Sequence, residues 1–334
     1  IFIQVIILGM IELVLISILL NIGFFLYFEK FSKVFLLYDN PGEKRKIHKI
    51  KTSNAAGFVM AINSLIIFIY FYLDNELFNI YIFSLLFFII GFLDDKNYLN
   101  PISKLLISAI IVYFSIKMNN DFLVQNLKIE ALGIDINIGS YSVFFTILCV
   151  LLLLNALNMF DGINLQSGFY LLTIFSIFFS MNIFSEFSLM VLVSLIFFMY
   201  FNFKGKIFLG NSGVWFFSYF ISHALISSFN KKVIDTEFIL IILIFPGLDM
   251  FRVFLQRIIN KKHPFYPDKI HIHHILLNSF NLFKTAIIIF MSYLIPILFF
   301  LISNDFIKSF SLLILIYLIL FFKFYIFKNI NKIS

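Results

Sequence analysis

The sequence predicts an all-α integral membrane protein with about 10–11 transmembrane helices and a small external β-hairpin near residues 118–140. Three observations carry that prediction. Of 334 residues, 61% are hydrophobic and only 13% charged, about half the charged share of an ordinary soluble domain, which excludes a soluble globular class. Apolar runs of about 20 residues, the length a helix needs to cross a bilayer, recur along the chain with short polar breaks between them. Lys and Arg are gathered in alternate breaks, as the two faces of a membrane require. Residues 1–334 therefore read as a single polytopic membrane domain.

The apolar runs predict eleven spans, at about 1–28, 57–73, 77–93, 101–117, 141–157, 163–181, 187–203, 213–229, 237–256, 282–302 and 307–323. With the start of the chain outside, the breaks at about 30–56, 94–104, 155–164, 204–212 and 252–284 share one face with the C-terminal tail. That face holds 20 of the 25 Lys and Arg residues, including Lys44, Arg45, Lys46, Lys49, Lys51, Lys261 and Lys262. The opposite face holds Lys117, Lys128, Lys231, Lys232 and Lys308. The positive-inside rule makes the first face cytoplasmic. Between Val124 and Gly139, polar and apolar residues alternate with period two on either side of Leu132-Gly133, which predicts the hairpin. Cys149, the single cysteine, lies in an apolar run and reads as an inert buried thiol. No basic segment precedes the first apolar run, so a signal peptide is unsupported.

Carboxylates collect on the cytoplasmic face: Asp94, Asp95, Asp161, Asp249 and Asp268. One Asp at a helix end is ordinarily a cap or a solvated charge; here the surroundings point further. Asp94 and Asp95 follow an apolar span directly, and adjacent carboxylates at a membrane boundary repel unless a cation or a proton intervenes. Asn155, Asn158 and Asp161 are three apart, which puts three oxygen ligands on one helical face before Gly162; hydrogen bonding between helices is the plainer reading of the two Asn residues. Leu209 to Gly213 form a glycine-bracketed turn whose amides can face an anion. After Asp249 come Arg252, Arg257, Lys261, Lys262, His263, the Pro264 to Asp268 segment, and then His271, His273 and His274. Cations and hard carboxylates together suit phosphate and Mg²⁺ better than zinc. The loop from Asp39 to His48 is basic enough to serve simply as an anchor for anionic lipid.

The order D-D, N-x-x-N-x-x-D-G, G-x-x-G and P-F-x-P-D-x-x-H-I-H-H, each at a cytoplasmic break, resembles the polyprenyl-phosphate N-acetylhexosamine-1-phosphate transferases, the family of WecA and MraY. The resemblance runs from about Asp39 to about Leu277. The D-x-P and R-x-x-H elements of the entry loop and the stretch from Pro246 to Arg252 fit as well, and the HIHH loop matches the WecA-like branch rather than the peptidoglycan branch.

The resemblance implies transfer of an N-acetyl-amino-sugar 1-phosphate from a UDP-sugar to undecaprenyl phosphate, releasing UMP. It implies Mg²⁺ as cofactor, with Mn²⁺ as its substitute, at the bacterial inner membrane with the site facing the cytoplasm, as a first membrane step of cell-envelope polysaccharide synthesis such as O-antigen and lipopolysaccharide. Carried over, Asp94 or Asp95 deprotonates or orients the lipid phosphate, with Asp161 counted among the catalytic carboxylates. Asn158, Asp161 and Asn211 form the metal set. Lys104 contacts phosphate, and Asn155, Arg252, His271, His273 and His274 contact the nucleotide donor.

This chain departs from the family pattern twice. Asn211 stands where the family usually has Asp in G-D-x-G, and Asn164-Leu165 stand where it often has Asp-Gly in D-G-x-D-G. A catalytically silent relative that binds lipid or a partner is therefore one competing reading. The other is a transporter, for which Glu12 is the lone midspan acid, although the polar motifs lie at one interface and not at the midplane. Expected partners are the two substrates and membrane lipid, with no nucleic acid; the oligomeric state is open, a homodimer included.

Overall fold

A computed structural model of the chain describes residues 2–41, 51–71, 75–263 and 268–330. The basic loop from Lys44 to Lys49, with Arg45 and His48, and the Pro264 to Pro267 segment lie outside the described residues. All eleven expected spans are helices: α1 (Phe2–Phe35), α2 (Ala56–Phe71), α3 (Asn75–Lys96), α4 (Pro101–Met118), α5 (Ser142–Phe160), α6 (Gln166–Ser180), α7 (Ser185–Phe203), α8 (Gly210–Asn230) and α9 (Thr236–Ile259), then, after a five-residue helix α10 (Ile272–Leu276), α11 (Leu282–Ser303) and α12 (Phe306–Ile330). Eight of them are long and apolar enough to cross a bilayer; α2 and α6 are shorter apolar helices. The chain is a multi-pass membrane protein.

Two short ribbons complete the fold. β1 (Tyr38–Asp39) pairs antiparallel with β2 (Thr52–Ser53), and β3 (Asn126–Ile129) with β4 (Ile134–Asn137). The second ribbon is the expected hairpin; Gly133 takes the left-handed conformation (φ 62°) its turn needs. The first ribbon lies in a break expected to be loop. It forms because Ser53 also exchanges backbone hydrogen bonds with the α7–α8 turn, its N–H reaching Lys206 O and its carbonyl accepting from Phe208 N at 2.7 Å.

The helix α8 is the axis of the bundle, buried along nearly its whole length against α2, α3 and α5. Glycines allow that closeness: a Cβ on Gly57 would collide with the backbone of Gly213, and one on Gly91 with the backbone of Asn211 and Ser212. Small residues where backbones approach are the usual device of membrane helices, since burial of apolar surface gives no preference for helix over lipid. Polar contacts add to it. Asn21 of α1 and Asn63 of α2 both donate to Ser194 Oγ of α7, each at 3.0 Å, bonds worth about 0.6 kcal/mol apiece in membranes. Glu12 is exposed on the outside of α1, with no place in an interior pathway.

The breaks segregate to two ends. At the lysine-poor end, Asn230 donates to the carbonyls of Asp121 and Leu123, Glu237 accepts from the hairpin at Ala131 N, and Glu76 meets Ser227 and Lys231. At the other end the motif-bearing breaks touch one another. Asn202 of α7 knits two of them, accepting from Leu165 N at 2.6 Å and donating to Ile207 O at 2.7 Å. One boundary differs from expectation: α9 continues to Ile259, so Arg252 and Arg257 stand on a helix and not in a loop. The reason is local, because Asp249, Arg252 and Gln256 bond one another at helical spacing along it.

Candidate active site

The last turn of α3 builds the first centre. Gly91 lets α3 cross the start of α8 so closely that Asp95 reaches across it. Asp95 Oδ1 accepts from Asn211 N at 2.9 Å and Oδ2 from Ser212 N at 3.0 Å, capping the opening amides of α8, which have no partner within their own helix. The anion expected at this glycine-bracketed turn is thus a side chain of the protein. Asp94 is equally engaged: Oδ1 accepts from Leu99 N, and Oδ2 from Lys104 Nζ and Asn211 Nδ2, all at 2.9 Å. The repulsion between the adjacent carboxylates is therefore offset by four amide donors and one buried ammonium. Lys104 is itself enclosed between the rings of Tyr98 and Trp215.

The second centre is the end of α5. Asn155 folds back, donating to Leu151 O at 2.7 Å, and Asn158 is partly buried one turn further on. Asp161 is the C-terminal cap residue, placed where the helix dipole is negative. Burial raises its carboxyl to about 6, a hydrogen bond from Ser167 opposing the shift. Among the described residues no Lys or Arg forms an ion pair with it. Leu165, where the family pattern has Gly, is held at φ 70°, a left-handed backbone that costs a non-glycine residue about 1–2 kcal/mol; the bond from its N–H to Asn202 holds it there.

The third centre is the histidine loop. Asp249 accepts at Oδ1 from Arg252 Nη2 (2.6 Å) and Ile272 N (3.1 Å), and at Oδ2 from His271 Nδ1 (2.8 Å). Arg252 further donates to Ile270 O (2.8 Å) and Gln256 Oε1 (2.8 Å), and Arg257 pairs with Asp268 at 3.0 Å. Arg252 is thereby committed to holding the loop, where the resemblance had it on the nucleotide. His271 presents only Nε2, its Nδ1–H being taken by Asp249. The rings of His271 and His273 lie parallel with centroids 5.4 Å apart, and His274 follows at 4.3 Å from His273. Burial, then the neighbouring imidazoles, holds His273 well below its ordinary range; burial, then His271 and Lys269, brings His274 down to about 4.

Gly162 joins the second centre to the third: any side chain there would overlap the imidazole of His273. The D-G turn and the histidine loop are one surface. Lys104, Asp94, Asp95 and Asn211 form a second group at the same end of the bundle. Asn211 lies with those carboxylates; none of its hydrogen bonds runs to Asn158 or Asp161. Among the described residues no three His, Cys, Asp or Glu side chains converge as a metal cage. A hard cation is instead suited by Asp161, a partly buried carboxylate with no Lys or Arg partner among the described residues, with the oxygen of Asn158 one turn before it. Sequence reasoning missed three participants. Tyr317 of α12 bonds both Asp249 and Arg252, and no spacing in an apolar run singles out such a residue; Gly57 and Gly91 read only as small residues in apolar spans.

The family model described as Glycosyl transferase family 4 matches residues 77–229, from the start of α3 to the end of α8. The chain is 30% identical over 262 residues to the undecaprenyl-phosphate alpha-N-acetylglucosaminyl 1-phosphate transferase of Thermotoga maritima, covering 78% of this chain and 79% of that protein. It is 27% identical over 200 residues to a probable undecaprenyl-phosphate N-acetylglucosaminyl 1-phosphate transferase of Bacillus subtilis, covering 57% and 55%.

Proposed function

We propose, from the premise that this chain belongs to glycosyl transferase family 4 and its polyprenyl-phosphate N-acetylhexosamine-1-phosphate transferases, that it moves an N-acetylhexosamine 1-phosphate from a UDP-sugar to undecaprenyl phosphate. An oxygen of the lipid phosphate bonds to the β-phosphorus of the donor, the bond from that phosphorus to the bridging oxygen breaks, and UMP leaves. The product is a lipid-linked diphosphate sugar. The observation that carries the reading is the packing of Gly162 beneath His273, which makes one surface of the carboxylate turn and the nucleotide-side loop.

Phosphoryl transfer asks a protein for charge neutralisation and in-line positioning more than for covalent chemistry. Asp161 and Asn158 would hold Mg²⁺, which when bound neutralises the charge on the donor diphosphate. Lys104, set against Asp94, is the cation available to the lipid phosphate, and Asp94 or Asp95 orients or deprotonates that phosphate. Asp95 orients this pair by fixing the start of α8. His271 through Nε2, with His273 and His274, receives the nucleotide. The lipid phosphate reaches the boundary from within the bilayer and the nucleotide from water, so both meet where these breaks lie. That end carries most of the Lys and Arg residues, which supports a cytoplasmic orientation in a bacterial inner membrane, and the product suits a first step of cell-envelope polysaccharide synthesis.

The test is radiolabel transfer from a panel of UDP-N-acetylhexosamines to undecaprenyl phosphate in purified membranes, with Mg²⁺ or with EDTA. Metal-dependent lipid labelling from one donor is expected. No labelling from any donor, where a known relative labels its lipid, overturns the reading.

A further inference from the structure

Tyr317 lies forty residues beyond the histidine loop, in the apolar run of the last helix, past the segment that carries the family's motifs. It is buried, at 4% exposure. Its hydroxyl accepts from Arg252 Nε at 2.7 Å and donates to Asp249 Oδ1 at 3.1 Å, so it uses both capacities of an O–H at once. One turn on, Phe321 lies against the same guanidinium, 4.8 Å from its carbon to the ring centre. The Tyr317 ring also meets Phe245 of α9 edge-on.

The two residues that Tyr317 bonds are those that grip the loop. Asp249 holds the His271 ring and the Ile272 amide, and Arg252 holds the Ile270 carbonyl, so the loop is taken on both sides of His271. Arg252 and Asp249 are neighbours on α9, and each has a flexible side chain; the hydroxyl from α12 fixes both in one geometry relative to a second helix. We infer that Tyr317 is a positioning residue for the proposed transfer, locking the Asp249–Arg252 pair so that His271 and His273 are presented beside Gly162. A packing role alone would need only the ring, which phenylalanine supplies.

The inference rests on the proposed reaction and is tested in a way that separates the two. The full chain in lipid nanodiscs is compared as parent, Tyr317→Phe and Tyr293→Phe, the last removing a hydroxyl from a buried tyrosine that also packs on Phe245 but bonds neither Asp249 nor Arg252. Tyr317→Phe is expected to raise KM for the UDP-sugar about tenfold, the lower end for loss of a partner that orients a site residue, with a smaller change in kcat. Amide hydrogen exchange is expected to rise over residues 269–277 and nowhere else, while Tyr293→Phe matches the parent in both. Parent-like KM and exchange in Tyr317→Phe overturn the inference, as does exchange that rises throughout the bundle. If the parent itself transfers from no donor, the reaction fails as a reading and the exchange pattern alone decides the role of Tyr317.

Discussion

Asp95 and Asp161 are both carboxylates at helix ends on the same face of this bundle, and the protein treats them in opposite ways. Asp95, in the last turn of α3, reaches the start of α8, where a helix offers positive charge, and takes two of its amides. Asp161 sits at the end of α5, where a helix offers negative charge, and no Lys or Arg among the described residues pairs with it. A carboxylate that its own fold saturates is architectural first; one that no Lys or Arg pairs with among the described residues is open to a partner from outside.

The sharpest way to break this contrast is Asp161→Asn. Transfer should fall by on the order of a hundredfold or more, within the range for loss of a group acting directly on the reaction, while the thermal midpoint holds or rises, since no buried charge need be desolvated. An initial-rate assay beside a thermal melt checks both, and near-parental rates would remove Asp161 from the chemistry. Next is Gly162→Ala, whose methyl group displaces His273. Its transfer rate should drop at least about tenfold, with a loss of roughly 1–3 kcal/mol in stability from overpacking; parental kinetics would mean that the loop and the D-G turn work independently.

A smaller effect is expected at Asn211, whose side-chain amide donates to Asp94 at 2.9 Å. Asn211→Asp restores the usual family residue but replaces that donor with a second negative charge, leaving Lys104 to balance both. The variant should melt several degrees below the parent in EDTA and recover in Mg²⁺; equal melting in EDTA would show that the amide does not stabilise Asp94. The smallest effect is that of pH. His273 and His274 bind protons less readily folded than unfolded, so stability is full above about 6.5 and is lost as pH falls from there toward about 4. Asp161 acts in the reverse sense, its folded carboxyl taking up a proton below about 6 and returning stability as pH falls. Melting midpoints between pH 7.5 and 4.5 should therefore decline more steeply in Asp161→Asn than in the parent. A flat profile in both would show that these imidazoles are not buried as neutral groups.

Legibility followed the range of the physics. Each span could be read because a bilayer imposes a length and a composition on a single segment; the hairpin could be read because its alternation and its Leu132-Gly133 turn are adjacent in the chain. Asp94, Asp95, Asp161 and the histidines stood out because charged residues are costly beside a membrane and rarely cluster there without use. Arg252 was legible as a site residue but not in its role, since only the folded chain places Asp249, Gln256, Ile270 and Tyr317 around one guanidinium. Leu165 likewise carried no sign of its left-handed backbone apart from the glycine that the family pattern has there.

By itself, then, the sequence determined the membrane class, the order of the eleven apolar helices, the end of the bundle where the charged motifs collect and the residue types present there. Those follow from solvation of each segment, which is local. Tertiary structure decided which carboxylate caps a neighbouring helix and which has no Lys or Arg partner among the described residues, which arginine grips the loop, and that a tyrosine of the last helix stands behind it. Such pairings depend on how helices distant in sequence cross, at contacts such as Gly57 with Gly213 and Gly91 with Asn211, and a hydrogen bond is decided within a few tenths of an ångström that no spacing along the chain encodes.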